Sequence, residues 1–315
     1  MRDTHTSCMA WRIYESTLIK AVTLLLFALY ITGCSSLVTN KVADAVASGG
    51  NTYASDDDPE LIRAATPFSL KLTESLLSQS PRHQGLLLAA ASGFTQYTYA
   101  FVQQDADVIE DQDVSAAAKL HNRARRLYIR ARDYGLRGLD AAHPGLAIAL
   151  RSNPTAALRV TSVDDVALLY WTAVSWAAAI SLSKDNPELL ADLPAVDALI
   201  YRALELNESF NDGAIHVFLI SYEMGRPGSG RDTESRAAKH FERALELTQG
   251  QQVAPYVAFA EAVCVANQNR AEFQVLLQRA LAVNAEAAPQ WRLANVVMQR
   301  RARWLLQRTD QLFSQ

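Results

Sequence analysis

Arg202-Ala203-Leu204-Glu205-Leu206 returns as Arg243-Ala244-Leu245-Glu246-Leu247 and again as Arg279-Ala280-Leu281-Ala282-Val283. Three residues before each alanine stands a large apolar side chain: Ile200, Phe241 and Leu277. From alanine to alanine the steps are 41 and 36 residues, and the longer step contains the loop Arg226-Pro-Gly-Ser-Gly-Arg-Asp232. A tetratricopeptide repeat takes about 34 residues. A methyl side chain lets the two helices of a hairpin approach closely, and the larger partner fills the groove beside it. One such hairpin cannot bury its apolar face alone, so neighbours must stack. The copies are degenerate. The tryptophan, glycine and tyrosine of a first tetratricopeptide helix are mostly missing, and Glu208 stands where a closing proline would. The expectation is an all-α chain, an α-solenoid-like array of helical hairpins with TPR-like rather than strict repeats. The strongly helical Ala124-Arg-Arg-Leu-Tyr-Ile-Arg-Ala131 suggests an earlier divergent unit within 113–140.

Outward from this region the signals stay helical. Asp58-Pro59-Glu60 reads as an N-cap, a first-turn proline and a carboxylate on the positive end of the helix dipole. Ser80-Pro81 and Asn186-Pro187 have the same cap-and-proline form, and Ser162 with Asp165 resembles a capping box. Leu61, Ala64, Ala65, Phe68, Leu72 and Leu76 recur at spacings of three and four, which marks one apolar helix face. No stretch alternates apolar and polar residues as a strand would.

The N-terminal residues have a different character. Arg12 and Lys20 precede the apolar run Ala21–Ile31, which is too short to span a bilayer and the right length for a signal-peptide core. Ile31-Thr32-Gly33-Cys34 looks like a bacterial lipobox, with Cys34 as the lipidated residue. The expected division is a signal peptide over 1–33, a lipidated cysteine and flexible tether over 34–58, and one all-helical domain over 59–315. Leu37–Ser48 has the pattern of a short helix, and the Gly-rich residues after it read as tether. Several acyl chains hold a protein stably at a membrane. Ser35, where an aspartate would favour inner-membrane retention, points to the outer membrane, with the chain in the periplasm. The net charge of −3 becomes −4 once Arg2, Asp3, Arg12, Glu15 and Lys20 leave with the signal. Nucleic acid is therefore not expected as a partner. With Cys8 removed and Cys34 acylated, Cys264 is left alone, so no disulfide is expected within the mature chain.

Four blocks are familiar together. They are Phe94-Thr-Gln-Tyr97-Thr-Tyr99-Ala-Phe101-Val-Gln-Gln-Asp105, Leu127-Tyr-Ile-Arg-Ala-Arg-Asp-Tyr134-Gly-Leu136, Leu169-Tyr-Trp-Thr-Ala-Val-Ser-Trp176-Ala177 and Gly213-Ala-Ile-His216-Val-Phe-Leu-Ile-Ser-Tyr222-Glu223. From about residue 59 to about 290 the chain resembles the TatT lipoproteins, which accompany tripartite ATP-independent periplasmic (TRAP) transporters. The resemblance implies a helical periplasmic lipoprotein that associates with a transporter's solute-binding protein and handles a small hydrophobic ligand in an apolar cleft. Only Cys34 carries over with a defined role. The family has no agreed catalytic set.

A search for chemistry supports a binding protein over an enzyme. Histidines 5, 83, 121, 143, 216 and 240 are scattered without zinc-ligand spacing. Gly228-Ser-Gly230 lacks the Lys-Ser/Thr of a phosphate loop, and no nucleophile elbow is present. Asp164-Asp165 reads as dipole complementation. No cofactor, metal or catalytic residue is expected. The candidate cleft residues are Tyr97, Phe101, Tyr170, Trp171, Trp176, His216 and Tyr222, with His216 placed mid-helix. Core packing and an aromatic-lined pocket both fit this pattern. The basic run from Arg123 to Arg137 and the cluster Arg300-Arg301-Ala-Arg303-Trp304 read as solvated faces, with anion, partner or lipid contact as the alternative. Self-association is expected if the ends of an open array stay uncovered. The competing functional expectation is a general TPR-like scaffold for envelope protein assembly.

Overall fold

The computed structural model describes residues 50–226, 230 and 232–314. The expected signal sequence, Cys34, the first part of the tether and Gly228-Ser229 lie outside these residues. A short helix, α1 (Gly50–Ala54), stands where the end of the tether was expected. It is held by Tyr53, whose hydroxyl lies 2.5 Å from Ser69 Oγ.

Most cap signals mark helix starts. Asp58 Oδ1 accepts the amides of Glu60 and Leu61 at 2.9 and 3.0 Å and opens α2 (Pro59–Gln79). Ser80 behaves otherwise: its N–H is already committed to Leu76 O at 2.9 Å, so it closes α2. The next helix, α3 (Gln84–Thr98), starts after Pro81, where His83 Nδ1 accepts the Leu86 amide at 3.2 Å. The apolar face of α2 is split as well. Ile62, Leu70, Thr73 and Leu77 are buried, whereas Leu61, Phe68 and Leu72 of the expected face stay exposed.

From α3 the chain passes through a π-helical turn, Tyr99–Gln103, into α4 (Gln104–Ile109). Residues 113–140 form no hairpin. They lie in one helix, α5 (Val114–Ala142), capped by Asp113. Short helices α6 (Leu146–Ser152) and α7 (Pro154–Ala157) lead to the capping box of Ser162 and Asp165, whose carboxylate accepts the Ser162 amide at 2.8 Å. Helix α8 (Val166–Ser181) follows. By length and composition Val163–Ser181 is apolar enough to span a membrane, but this helix is the centre of the larger core cluster. The absence of a side chain at Gly135 and Gly138 lets α5 lie close on Thr172 and Leu168 of α8.

The remaining elements are α9 (Pro187–Leu190), α10 (Leu193–Leu206), α11 (Ala214–Gly225), α12 (Thr233–Thr248), α13 (Ala254–Phe259) with a second π turn (Ala260–Cys264), α14 (Arg270–Ala282), α15 (Arg292–Gln307) and α16 (Thr309–Leu312). No strand occurs among the described residues. Asn186 caps α9 at its Glu188 and Leu189 amides. The repeated alanines occupy equivalent places: Ala203, Ala244 and Ala280 are fully buried in α10, α12 and α14. Ile200 and Leu277 are buried beside them, and Phe241 packs on the second core cluster.

The ends of this array meet. Arg300 of α15 pairs with Glu60 of α2 at 2.6 Å, and Arg292 donates to Ser55 O at 3.1 Å. Arg308 reaches Asp111, beyond α4, at 3.0 Å. The last helices therefore pack on the first.

Candidate functional site

The seam between first and last helices holds a cavity of about 160 Å³. One wall follows from an irregularity in the helix, and a second irregularity lies behind it. In the first π turn the amide of Gln104 bonds to Tyr99 O, one residue further back than in an α-helix. The extra residue turns the downstream face by roughly 100°. Phe94, before the turn, stacks on Tyr134 with ring centroids 5.9 Å apart. Phe101, within it, lines the cavity with Gln104 and Asp105. The second π turn carries Glu261, which does not line the cavity but pairs with Arg301, a residue of its wall.

Arginines close the seam. Arg63 holds Asp105 in a two-pronged contact at 2.5 and 3.0 Å and lies 5.0 Å from the Phe101 ring. Arg301, only 8% exposed, lies 2.9 Å from Asp107, pairs with Glu261 and stacks 4.1 Å from Trp304. Burial opposes the Arg301 charge, but Glu261 and Asp107 outweigh it and hold the guanidinium protonated. Arg308 also lies 4.6 Å from the Trp304 ring, so two guanidinium groups contact it. Gln104 Nε2 is buried without an aligned acceptor, whereas Arg301 Nη1 has Asp107 Oδ2 as its ion-pair partner. The cavity therefore combines an apolar wall with one buried donor, Gln104 Nε2, that could meet an acceptor atom on a small guest.

The seven expected cleft residues do not gather there. Phe101 lines the cavity, and Tyr97 packs on it at 5.8 Å between ring centroids. Tyr170 and Trp171 meet edge to face at 4.9 Å, and Tyr170 and Trp176 are buried in the central core. Trp176 Nε1 donates to Asp192 at 3.1 Å. Tyr222 donates to Asp197 at 2.7 Å, next to a fully buried Glu223 that holds Arg236 at 2.7 Å. His216 lies in the first turn of α11 rather than in mid-helix. Its Nδ1 is 2.9 Å from Nδ1 of His240 on α12. One ring must donate and the other accept, so the accepting ring is neutral and both rings cannot be protonated together without losing the bond. Burial pushes both pKa values down, that of His240 to about 4.

Sequence reasoning missed Arg63, Gln104 and Asp105, and read Arg301 as solvated. A signal was present: Arg301 lies between Val297 and Leu305, one turn to either side, on the apolar face of α15. Within the earlier basic run, Arg132 covers Trp176 and Arg137 donates to Pro81 O, so part of it is spent inside the molecule. Among the described residues no group of three or more metal-ligating side chains occurs.

Fold and site together define an all-helical array of hairpins closed at an aromatic and guanidinium-lined seam. Over residues 55–313 it matches the family described as TRAP transporter T-component, and the chain belongs to that family. A similar protein of Treponema pallidum (strain Nichols), described as "Uncharacterized protein", is 31% identical over 266 residues, 83% of this chain and 82% of that one. Membership makes the chain an accessory component of a TRAP transport system, which works on the periplasmic side.

Proposed function

We propose that the protein is held at the periplasmic face of the envelope by acyl groups on Cys34, in the outer membrane, and engages the solute-binding protein of its TRAP transporter. In this reading it is a binding protein and not an enzyme, and it presents a small, largely hydrophobic ligand to that partner. The observation that carries the reading is the family match, which runs from the start of α2 to the end of α16. The seam cavity supports the ligand part, because Phe101, Val108, Val297 and Trp304 give it an apolar wall. The equivalent burial of Ala203, Ala244 and Ala280 keeps a second reading in play, a TPR-like scaffold for envelope proteins.

Crosslinked affinity capture from native envelopes, with tagged full-length protein and a Cys34→Ala control, separates the two. Recovery of a TRAP-type solute-binding protein supports the first reading. Recovery of outer-membrane assembly factors alone favours the scaffold.

A further inference from the structure

Helix α2 carries an apolar stripe that nothing in the described chain covers. Leu61, Phe68 and Leu72 are 57%, 74% and 38% exposed, and Ala64 is exposed between them. Positions 61, 64, 68 and 72 share one side of a helix and extend about 16 Å along it. No carboxylate interrupts the stripe. Glu60 is bound to Arg63 and Arg300, and Glu74 to Lys71 and Tyr134. Pro67, Lys71, Ser75 and Ser78 are the exposed neighbours.

The course of the chain shows what this stripe faces. Through the Tyr53–Ser69 contact, α1 lies beside the middle of α2. The chain therefore enters the folded body on a flank of α2, about a quarter turn round from Phe68 and Leu72. Cys34 is sixteen residues upstream of Gly50. That length spans at most about 55 Å. An acyl group there keeps the membrane within reach of the stripe.

Size argues in the same direction. Three side chains of this kind expose on the order of 300 Å², well short of the roughly 800 Å² per partner in a stable protein interface. A weak apolar contact becomes effective when a second attachment raises its local concentration. Phe and Leu on one side of a helix are also what an interfacial helix inserts at the headgroup boundary.

We propose that the α2 stripe lies in the surface of a phospholipid bilayer, so that the protein meets its membrane at two points. The bilayer face is zwitterionic, because Asp56, Asp57 and Asp58 at the start of α2 repel anionic headgroups. The proposal rests on the lipid-anchor reading above only for the tethering. The stripe is tested separately.

The test places an environment-sensitive fluorophore on Phe68→Cys in the full-length Cys8→Ser chain, with Val160→Cys as an exposed control. Cys264, fully buried, does not compete for label. Phosphatidylcholine–phosphatidylethanolamine vesicles with doxyl-labelled lipid are added in large excess. The expected result is quenching at position 68 several-fold above that at 160. A Leu61→Cys reporter is expected to lose its quenching when Phe68→Asp is added. Equal or absent quenching at 68 and 160 overturns the proposal. So does a blue shift at 68 that needs no vesicles and grows with protein concentration, which is the mark of a second copy. Acylation of Cys34 is read independently by mass spectrometry. A Cys34→Ser version, which carries no acyl group and no second reactive thiol, still reports at 68 under vesicle excess, so failure of the anchor and failure of the stripe are distinct results.

Discussion

At position 135 a missing side chain sets the distance between two helices. A Cβ on Gly135 would lie 2.1 Å from Thr172 Oγ1 and 3.2 Å from Thr172 Cα, which is backbone and cannot swing away. Gly135→Ala is expected to lower stability by about 1–3 kcal/mol, as overpacking does. Gly225→Ala, with nothing within 4 Å, is expected to be neutral or mildly stabilising. Urea unfolding of the pair, followed by circular dichroism, measures the difference. The His216–His240 contact makes a second prediction. Both folded-state pKa values lie below the ordinary 6.5, so in the window between, the unfolded chain binds more protons than the folded one. Stability is then complete above pH 6.5 and falls as pH drops towards 4, by roughly 3 kcal/mol for His240. His240→Gln is expected to flatten that part of the stability–pH curve, and an unchanged slope would remove the pair from the account. Neither contact was legible in the sequence. The glycine and the histidines are visible there, but their partners lie 37 and 24 residues away on other helices.

At the level of helices and turns, the starts were the most legible part. Asp58, Asn186 and the Ser162/Asp165 box cap locally, and a cap needs only residues within one turn. Ser80-Pro81 misled because the same residue ends a helix when the previous turn already holds its amide. The π turns were invisible, since hydrophobic spacing presumes a regular helix and one inserted residue breaks the phase downstream. Their consequence is Arg301, held between Asp107 after one turn and Glu261 within the other. Arg301→Met is expected to cost about 2–3 kcal/mol by removing the cation between Glu261 and Asp107, the latter keeping His121 at 3.0 Å. Adding Glu261→Gln should recover part of the loss. Thermal unfolding of the two variants decides, and additive losses would mean that the residues act independently.

Across the whole molecule, closure is the property that the repeats do not announce. In an open array each unit touches only its neighbours, and a change at one end leaves the other end alone. Here α15 holds α1 and α2 through Arg292 and Arg300. Arg300→Glu, facing Glu60, is expected to raise amide exchange in α1 and the first turns of α2 while α8 keeps its protection. Each exposed pair contributes no more than about 1 kcal/mol, so the readout is local opening rather than a large stability loss. Hydrogen exchange with mass spectrometry checks it, and unchanged α1 and α2 would show that the seam does not depend on these pairs. By itself, the sequence determined the all-helical class, most helix starts, the equivalent alanines and the family. Those features are written in spacings of a few residues or in periods that repeat along the chain. Only the tertiary structure decided which aromatics line the seam, which face of α2 stays bare and that the ends meet. Each of these depends on how many residues every turn between distant segments contains, and a single extra one rotates everything after it.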